Sequence, residues 1–465
     1  MRASEREPGA AIWVDVEDIF EYFRFNPHPS GIQRVAIELT RALIEQAGAR
    51  VRIARHGARP GSVREVRWSE VETMMATPPA AERPQAAEPE PGDDRQRRSR
   101  VQRGILRLPP ELRDPLFRAG VLQSQVLRNV RALTQAVRPA PPRELRAAPA
   151  GRPSEGDGPS AGDAYLVLGA PWSVPGSAAH LAAMRDRGVR TALLIHDLIP
   201  VRRPEWQSPA KVAAFRAWLE GALAASDIVF SLSRFTAEDV ERYARQRGVA
   251  LRGAVRAIGA GSSTPPAGGD ALAGLPAAGR YVLFVSTLEA RKNHGLAVKV
   301  WQKLMGEVRA GVRAAETVPQ LVFAGRVGLG VLDLLQQMDN SRWLNGRIRL
   351  IRDPSDAEVR ALYDGCLFTL LPSLYEGWGL PLGESLALGK PCLAASGTAL
   401  PEAGGELCRY FDPEDVGAAH RAVAALLDTP GAIGAWQAEV RARFAPQSWR
   451  GPADAVLAAC EAVPA

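Results

Sequence analysis

Two glutamates eight positions apart offer the clearest chemistry in this sequence. Glu376 and Glu384 flank a Gly-Trp-Gly-Leu-Pro turn within residues 371–391, LPSLYEGWGLPLGESLALGKP. A short apolar run precedes the turn, and Pro381 suits the first turn of a helix. The pattern predicts a strand, a glycine-rich turn and a helix start, which together present backbone N–H groups to an anion. Both carboxylates can accept hydrogen bonds from sugar hydroxyls, although the spacing alone favours an ordinary loop with two solvated glutamates.

Two cations follow a second apolar run, Tyr281–Val285. Arg291 and Lys292 lie in the segment 286–294, STLEARKNH. An arginine fork and a lysine point charge at a strand end could neutralise a diphosphate and stabilise it as a leaving group. Taken alone, a solvated run of surface charges is the more common explanation of such residues.

Three further segments place candidate residues where a predicted strand ends. Gly31 and Gln33 stand at a helix start in PSGIQRV, where the helix dipole attracts negative charge. His196 follows an apolar strand in IHDLIP, and Arg326 follows the strand 320–324 in the glycine-bearing loop GRVGLG. A lone histidine is more often structural, and a lone glycine-rich loop is a weak signal.

The segment around Glu376 resembles the signature of the retaining glycosyltransferases of family 4, which is a Glu, seven residues and a second Glu within E-G-[FW]-G-L-P. The strings EARKNH and IHDLIP resemble two further motifs of that family, with Ala290 where proline is usual. The resemblance covers most of residues 11–44 and, in segments, residues 165–449. It is most specific from 281 to 413.

The resemblance also implies roles for single residues. Glu376 would face the donor sugar and Glu384 the nucleotide ribose, while Lys292 and Arg291 would hold the diphosphate. His196 would position the sugar from the opposite side. The other residues that the resemblance and the motifs place near the donor are Gly31, Gln33, Arg326, Gly377, Trp378, Gly379 and Leu380. The sequence has no Asp-x-Asp motif and no zinc-ligand spacing, so we expect no metal site and no cofactor besides the nucleotide-sugar, which is a substrate.

Alternation of predicted strands and helices indicates an α/β fold with parallel, doubly wound sheets. The resemblance implies the GT-B architecture, in which two Rossmann-like domains face each other across a cleft. Ligands of such sheets bind beyond the carboxyl ends of the strands. The expected parts are an acceptor domain over residues 1–270, a nucleotide-sugar domain over 279–440 and a crossover helix over 441–465 that returns to the first domain.

An Arg/Pro-rich segment over about 76–161 interrupts the first domain. Its composition predicts an insertion that is partly disordered or forms a basic amphipathic helix. Such a helix within residues 95–138 could lie on an anionic membrane, although a solvated helix packed on its own domain fits equally well. The net charge of +7 favours anionic partners in general.

The sequence shows no leader-like apolar segment and no apolar run near the roughly 18 residues of a membrane span. Its four cysteines form no C-x-x-C pair and are accompanied by no secretory context, so we expect a reduced compartment in which they are buried thiols. We therefore expect a cytoplasmic protein, with peripheral attachment to the inner face of the membrane through residues 95–138 as a hypothesis. A nucleic-acid partner is not expected.

These expectations combine into a retaining glycosyltransferase of bacterial surface polysaccharide synthesis, such as lipopolysaccharide. The resemblance favours GDP-mannose or a similar donor and a glycan or lipid-linked glycan acceptor. Two alternatives stay open on the sequence. One is a nucleotide-sugar epimerase or glycoside phosphorylase of the same architecture, and the other is a non-catalytic relative that binds membrane or nucleic acid.

Overall fold

Two sheets, each with its own helices, build the described part of the chain. The computed structural model describes residues 10–26, 28–76, 158–266, 274–328 and 330–462. The first sheet consists of β1 Ile12–Asp15, β2 Val51–His56, β3 Val63–Val66, β4 Ala164–Val167, β5 Arg190–Ile195, β6 Ile228–Ser231 and β7 Arg256–Ala257. Their order is β3-β2-β1-β4-β5-β6-β7, and every pair is parallel except β2 with β3. We call this sheet and its helices the first domain.

The second sheet is parallel throughout. It consists of β8 Tyr281–Val285, β9 Gln320–Ala324, β10 Ile348–Ile351, β11 Thr369–Leu371, β12 Cys392–Ala395 and β13 Arg409–Phe411. The order β10-β9-β8-β11-β12-β13 has the first strand near the middle and the chain winding outwards on both sides, as in a Rossmann-like fold. We call this sheet and its helices the second domain.

Helices cover both faces of the sheets. The first domain has α1 Glu17–Phe23, α2 Gly31–Ala47, α3 Trp68–Ala76, α4 Ser177–Asp186, α5 Ile199–Arg202, α6 Pro209–Ala225 and α7 Arg234–Arg247. The second domain has α8 His294–Arg309, α9 Leu332–Asn340, α10 Asp356–Gly365, α11 Leu380–Ala387, α12 Leu400–Gly404, α13 Val416–Asp428 and α14 Ala432–Arg443, with a left-handed turn over Arg342–Gly346. The last helix is α15 Arg450–Ala462.

Burial on both faces explains why the strands read as continuous apolar runs rather than as alternating ones. All four residues of β1 and of β4 are buried, as are the four of β12. Each sheet therefore separates two apolar cores. The predicted α/β class with two Rossmann-like domains is confirmed.

Helix α15 joins the core of the first domain although it follows the second domain in sequence. Ala453, Val456 and Cys460 are buried in the cluster that also contains Leu39 and Leu43 of α2. The Gln46 side chain donates a hydrogen bond to the carbonyl of Arg450 (3.0 Å). The chain thus crosses back after α14, so the two domains are tied together at both the 260s and the 440s.

The structure differs from the sequence expectations at several short elements. Residues 17–23 form α1, a helix that the sequence patterns did not indicate, and Val63–Val66 adds an antiparallel strand that closes a hairpin with β2. Strands β12 and β13 were not expected either. The insertion expected over 76–161, including the basic helix at 95–138, lies almost wholly outside the described residues.

Candidate active site between the two domains

The glycine-rich turn after β11 lies against the first domain. A Cβ atom on Gly377 would lie 1.9 Å from the backbone oxygen of His196, so only glycine allows this approach. Gly379 has a φ of 107°, and a Cβ there would lie 2.6 Å from a methyl group of Leu400. The hydroxyl of Ser233 donates to the backbone oxygen of Gly377 (3.0 Å). The glycines therefore let the turn fit into the interface between the domains.

A buried cluster of opposite charges forms beside this turn. The Glu376 carboxylate accepts hydrogen bonds from the Lys292 ammonium and, at 3.1 Å, from Nη1 of Arg291. Nε of Arg291 lies 3.0 Å from a carboxylate oxygen of Glu289. Both cations follow β8 in a single 3-10 turn, and Glu376 follows β11, the neighbouring strand. Adjacent parallel strands thus bring the predicted cations and the predicted carboxylate to one point.

Charge rather than burial decides the ionisation of Glu376. Burial alone would raise its pKa, but Lys292 and Arg291 lower the pKa from 4.5 to about 2. Burial, together with the neighbouring Arg291, lowers the pKa of Lys292, and Glu376 acts in the opposite direction. Arginine has five N–H donors and lysine three, so each cation keeps donors beyond those that contact carboxylates.

Asp197 brings a carboxyl group of the first domain to the same cluster. Its carboxylate accepts a hydrogen bond from the backbone N–H of Ile199 (3.0 Å) and feels the charges of Arg291 and Glu376. Burial raises the pKa of Asp197, and Arg291 opposes this shift. The cluster therefore combines groups from both domains.

Glu384 lies on α11 in a second polar cluster of the cleft. Its carboxylate accepts a hydrogen bond from the Tyr363 hydroxyl (3.0 Å) and lies 3.6 Å from Nη1 of Arg34. Arg34, on α2 of the first domain, also forms an ion pair with Asp356. Burial raises the pKa of Glu384, and Arg34 and Tyr363 oppose the shift. One arginine thus bridges the two domains at the predicted ribose site.

His196 lies at the carboxyl end of β5, but its imidazole binds within the first domain. Nε2 is 2.9 Å from the carbonyl oxygen of Leu168, and burial lowers the pKa of His196 to about 4. The ring is therefore neutral at pH 7 and only weakly basic, and its Nε2 is already bound to a carbonyl oxygen, so it fits a positioning group better than a general base. His294 of the EARKNH string is not in the cleft, because its ring stacks on Phe284 at 4.2 Å in the core.

Five more residues were predicted to lie near the nucleotide-sugar, namely Gly31, Gln33, Trp378, Leu380 and Arg326. Gly31 begins α2 and faces Leu380 across the cleft, since a Cβ on Gly31 would lie 3.5 Å from the Leu380 side chain. Trp378 and Leu380 are half-buried and pack against the apolar core of the first domain. Gln33 is buried and accepts a hydrogen bond from the Ser30 hydroxyl. Gly31, Trp378 and Leu380 therefore lie at the contact between the domains, whereas Gln33 is bound within the first domain.

Arg326 reaches the first domain from the loop after β9. Its guanidinium donates to the Asn26 side chain (3.2 Å) and to the Tyr22 hydroxyl (3.3 Å). The backbone of this loop pairs with the loop after β8, because Leu288 N–H donates to the Arg326 carbonyl (2.7 Å).

Two further contacts hold the domains together. The Tyr375 hydroxyl donates to Asp239 on α7 (2.6 Å), and Asp239 also pairs with Arg202 (2.9 Å). Glu402 accepts hydrogen bonds from the backbone N–H groups of Arg234 (2.8 Å) and Phe235 (2.7 Å). A carboxylate of the second domain therefore caps the helix α7 of the first domain.

Replacing Glu402 by alanine is expected to destabilise the protein by about 0.5–2 kcal/mol, the usual range for losing a helix cap. The loss arises because two backbone donors at the start of α7 lose their acceptor. Urea denaturation measures the effect, with Glu414→Ala on the exposed surface as the control. Equal stability of Glu402→Ala and wild type would contradict the capping role.

Several residues of the site could not be identified from the sequence. Asp197 stands next to His196 in the quoted IHDLIP string, so its place at a strand end was visible there. Tyr363 and Asp356 belong to α10, whose sequence shows the capping box of Ser355 and Glu358 but no sign of a role in the cleft. The contact of Glu402 with the other domain depends on the tertiary structure.

The described residues contain neither a cluster of metal-binding side chains nor a helix that could span a membrane. Those residues contain no group of three or more His, Cys, Asp or Glu side chains arranged to hold a metal ion. Within the same ranges, no helix has the length and apolarity needed to cross a bilayer. Metal-independent chemistry stays a prediction.

Comparison with known proteins identifies the second domain. Residues 273–447 match the family model for glycosyl transferases group 1. The serotype-specific mannosyltransferase WbdA of Escherichia coli is 25% identical over 244 residues, which are 50% of this chain and 29% of that protein. The O-antigen chain mannosyltransferase B of Escherichia coli is 32% identical over 138 residues, or 30% of this chain and 34% of that protein.

Each relative matches only a part of this chain, and this chain matches only a part of each relative. The chain spans about a third or less of the length of these two curated relatives. Among solved structures, the crystal structure of TarM is 12% identical with a TM-score of 0.48, covering 64% of this chain and 55% of TarM. The resemblance to glycosyltransferases noted in the sequence is confirmed, because residues 273–447 match glycosyl transferases group 1 and two mannosyltransferases are similar to this chain.

Proposed function

We propose that this protein is a retaining glycosyltransferase that moves a sugar from a nucleotide-sugar to a glycan acceptor. The observation that supports it most is the convergence of Glu376, Lys292 and Arg291 at the carboxyl ends of β8 and β11. Ligands of doubly wound sheets bind at this edge. Asp197 of the first domain interacts electrostatically with the same cluster, and the backbone of His196 contacts Gly377. In this proposal both domains border the reacting atoms.

The cations would stabilise the leaving group. As the bond between the anomeric carbon and the phosphate oxygen breaks, its electron pair goes to the nucleoside diphosphate, whose negative charge increases. Fixed cations with spare N–H donors, Lys292 and Arg291, offset this charge without having to reorganise. In this proposal the Glu376 carboxylate shares its cations with the diphosphate and accepts hydrogen bonds from the sugar hydroxyls.

The acceptor completes the reaction from the side of the departing diphosphate. Its hydroxyl oxygen bonds to the anomeric carbon of an oxocarbenium-like sugar, and its proton passes to the departing phosphate oxygen. Retention of configuration follows from attack on the same face. His196, neutral at pH 7 and anchored to Leu168, supports the cleft wall on the acceptor side. The protein acts here through positioning and charge.

Glu384 is proposed to hold the ribose of the donor. Its buried carboxylate has one oxygen hydrogen-bonded to Tyr363 and the other near Arg34. Ribose hydroxyls can donate to either oxygen, since an ionised carboxylate offers about four acceptor positions. Arg34 would then contact the nucleotide from the first domain when the cleft is closed.

A mannose donor, with GDP as the favoured nucleotide, is part of the proposal. It is supported by two relatives whose names describe mannosyltransferases, one of them of an O-antigen chain. The acceptor proposed on the same grounds is a bacterial surface polysaccharide or its lipid-linked precursor. Attachment to a membrane through residues 95–138 stays a prediction outside the described residues.

Glu384→Ala is expected to weaken binding of the nucleotide-sugar donor selectively. Wild type should be stabilised against heat by one nucleotide among UDP-, GDP-, ADP- and dTDP-sugars, by about 2.7 kcal/mol at a concentration 100 times Kd. The variant should bind that donor at least about tenfold more weakly, because a charge-assisted hydrogen bond to ribose is lost.

Thermal shift over a donor titration measures this effect. Asp364→Ala is the matched control, because Asp364 lies on α10 beside Tyr363 and its exposed carboxylate pairs only with Arg360 among the contacts described. Equal donor affinity of Glu384→Ala and Asp364→Ala would refute the ribose role. A lack of response of wild type to every donor would refute the proposed function itself.

A further inference from the structure

Glu376 is flanked by two residues that both bind helix α7 of the first domain. On one side, the hydroxyl of Tyr375 donates a hydrogen bond to the Asp239 carboxylate (2.6 Å). On the other side, the backbone oxygen of Gly377 accepts a hydrogen bond from the hydroxyl of Ser233 (3.0 Å), which is the N-cap residue of α7. Helix α7 therefore holds the turn at the positions directly before and directly after Glu376.

The hydrogen bond between Tyr375 and Asp239 belongs to the strong, charge-assisted class. Its oxygen–oxygen distance of 2.6 Å is typical of a hydroxyl that donates to an ionised carboxylate. Burial, together with the negative charge of Asp239, raises the pKa of Tyr375, so the phenol keeps its proton and acts as the donor. Asp239 is itself buried, and ion pairs with Arg202 (2.9 Å) and Arg242 (3.3 Å) balance its charge. The acceptor of this hydrogen bond is therefore fixed within the first domain.

The backbone next to Tyr375 contacts the charged groups of the candidate active site. The Tyr375 carbonyl oxygen lies 3.5 Å from Nη1 of Arg291, the same nitrogen that donates to the Glu376 carboxylate (3.1 Å). The N–H of Leu374 donates to the Arg291 carbonyl (2.8 Å), and the N–H of Glu376 donates to the Thr398 hydroxyl (3.1 Å). A displacement of Tyr375 would therefore move both the carboxylate and the cation that binds it.

We propose that Tyr375 is a positioning residue, which holds the Glu376 carboxylate in place for sugar transfer by anchoring its turn to α7 of the first domain. This role rests on the proposed function, in which Glu376 binds the donor sugar. Because Asp239 belongs to the first domain and Glu376 to the second, this anchor exists only while the two domains are in contact. A misplacement of about 1 Å can slow a reaction by about 10²-fold, so Tyr375 can affect the rate without touching the substrate.

Tyr375→Phe tests this role, because it removes the hydroxyl and keeps the ring, whose edge contact with Phe235 of α7 has a centroid distance of 5.5 Å. Tyr243→Phe is the matched control. Tyr243 lies on α7 and is buried, and its hydroxyl donates to the Glu220 carboxylate (3.0 Å) within the first domain. Each variant loses one hydroxyl that donates to a carboxylate, so a general effect on the stability of α7 would appear in both.

A transfer assay with GDP-mannose and an α-mannoside acceptor compares the variants with wild type. The kcat of Tyr375→Phe should be about 10–100-fold lower than that of Tyr243→Phe. The KM for the donor should differ less, because Glu384 is proposed to hold the nucleotide. In a Glu376→Gln background, Tyr375→Phe should lower kcat much less than it does in the wild-type protein, because the carboxylate that it positions is absent. Equal kcat values of the two single variants, or additive losses in the double variant, would overturn the proposal.

Hydrogen–deuterium exchange gives a second measurement that needs no substrate. In Tyr375→Phe, the amides of Leu374 and Glu376 should exchange about tenfold or more faster than in Tyr243→Phe, because the turn loses a charge-assisted hydrogen bond. Equal exchange in the two variants would overturn the proposal. If the wild-type protein transfers no sugar, the proposed function fails, and the exchange comparison alone decides whether Tyr375 holds the turn.

Discussion

Replacing Lys292 by methionine is expected to lower kcat for sugar transfer by about 10²–10³-fold, the usual cost of removing one preorganised donor to developing charge. Methionine keeps the length of the side chain but removes the ammonium group. The loss should fall on kcat more than on KM, because the diphosphate carries more negative charge in the transition state than in the bound donor. Release of the nucleoside diphosphate, followed with a coupled assay, measures it.

Lys390→Met is the matched control for this change. Lys390 is also a buried lysine of the second domain, but its ammonium donates to the carbonyl of Cys366 (3.1 Å), away from the cleft. Both variants remove one buried ammonium group, so a general effect of this loss would appear in both. A kcat of Lys292→Met that matches that of Lys390→Met would contradict the leaving-group role.

Replacing Glu376 by glutamine is expected to lower the free energy of unfolding by about 3 kcal/mol at pH 7, because the shift of a buried carboxyl pKa from 4.5 to about 2 is linked to stability. The folded pKa lies below the unfolded value. The stabilisation is therefore complete above pH 4.5 and is lost as the pH falls towards 2. The free energy of unfolding of Glu376→Gln should therefore not show this part of the decrease at acid pH.

Urea denaturation at a series of pH values from 7 to 3 separates this effect from others. Glu406→Gln serves as the control, because the Glu406 side chain is 89% exposed and pairs only at the surface with Arg443. The expected result is a large loss at pH 7 for Glu376→Gln and a loss near zero for Glu406→Gln. If Glu376→Gln followed the wild-type curve throughout, its ion pairs with Lys292 and Arg291 would not stabilise the fold.

The longer strands and helices could be predicted from the sequence, because the local apolar pattern agrees with burial in the folded protein. Gln320–Ala324 and Tyr281–Val285 are strands with the predicted bounds, since each is a short apolar run closed by polar or glycine residues. The helix start at Pro381 and the Ser355 capping box follow from local chemistry in the same way. Elements such as β13 have too few residues for a pattern.

The residues that line the cleft could be predicted from the sequence only in part. Glu376, Lys292 and Arg291 converge as expected, because they follow adjacent strands of one sheet. Arg34 and Glu402 each contact a residue of the other domain. Arg34 lies 350 positions before its partner Glu384, and Glu402 lies 168 positions after its partner Arg234. No local pattern encodes such a pairing, because it depends on how the two domains meet.

The central claim is transfer of the sugar with retention, and proton NMR of a running reaction tests it most directly. The sample contains wild-type protein, GDP-α-mannose and an α-mannoside acceptor. We expect GDP and a new α-linked mannoside to appear in equal amounts, and both to form about 10²–10³-fold more slowly with Lys292→Met. A β-linked product, an epimerised donor formed without acceptor, or mannose 1-phosphate formed only with inorganic phosphate would contradict it.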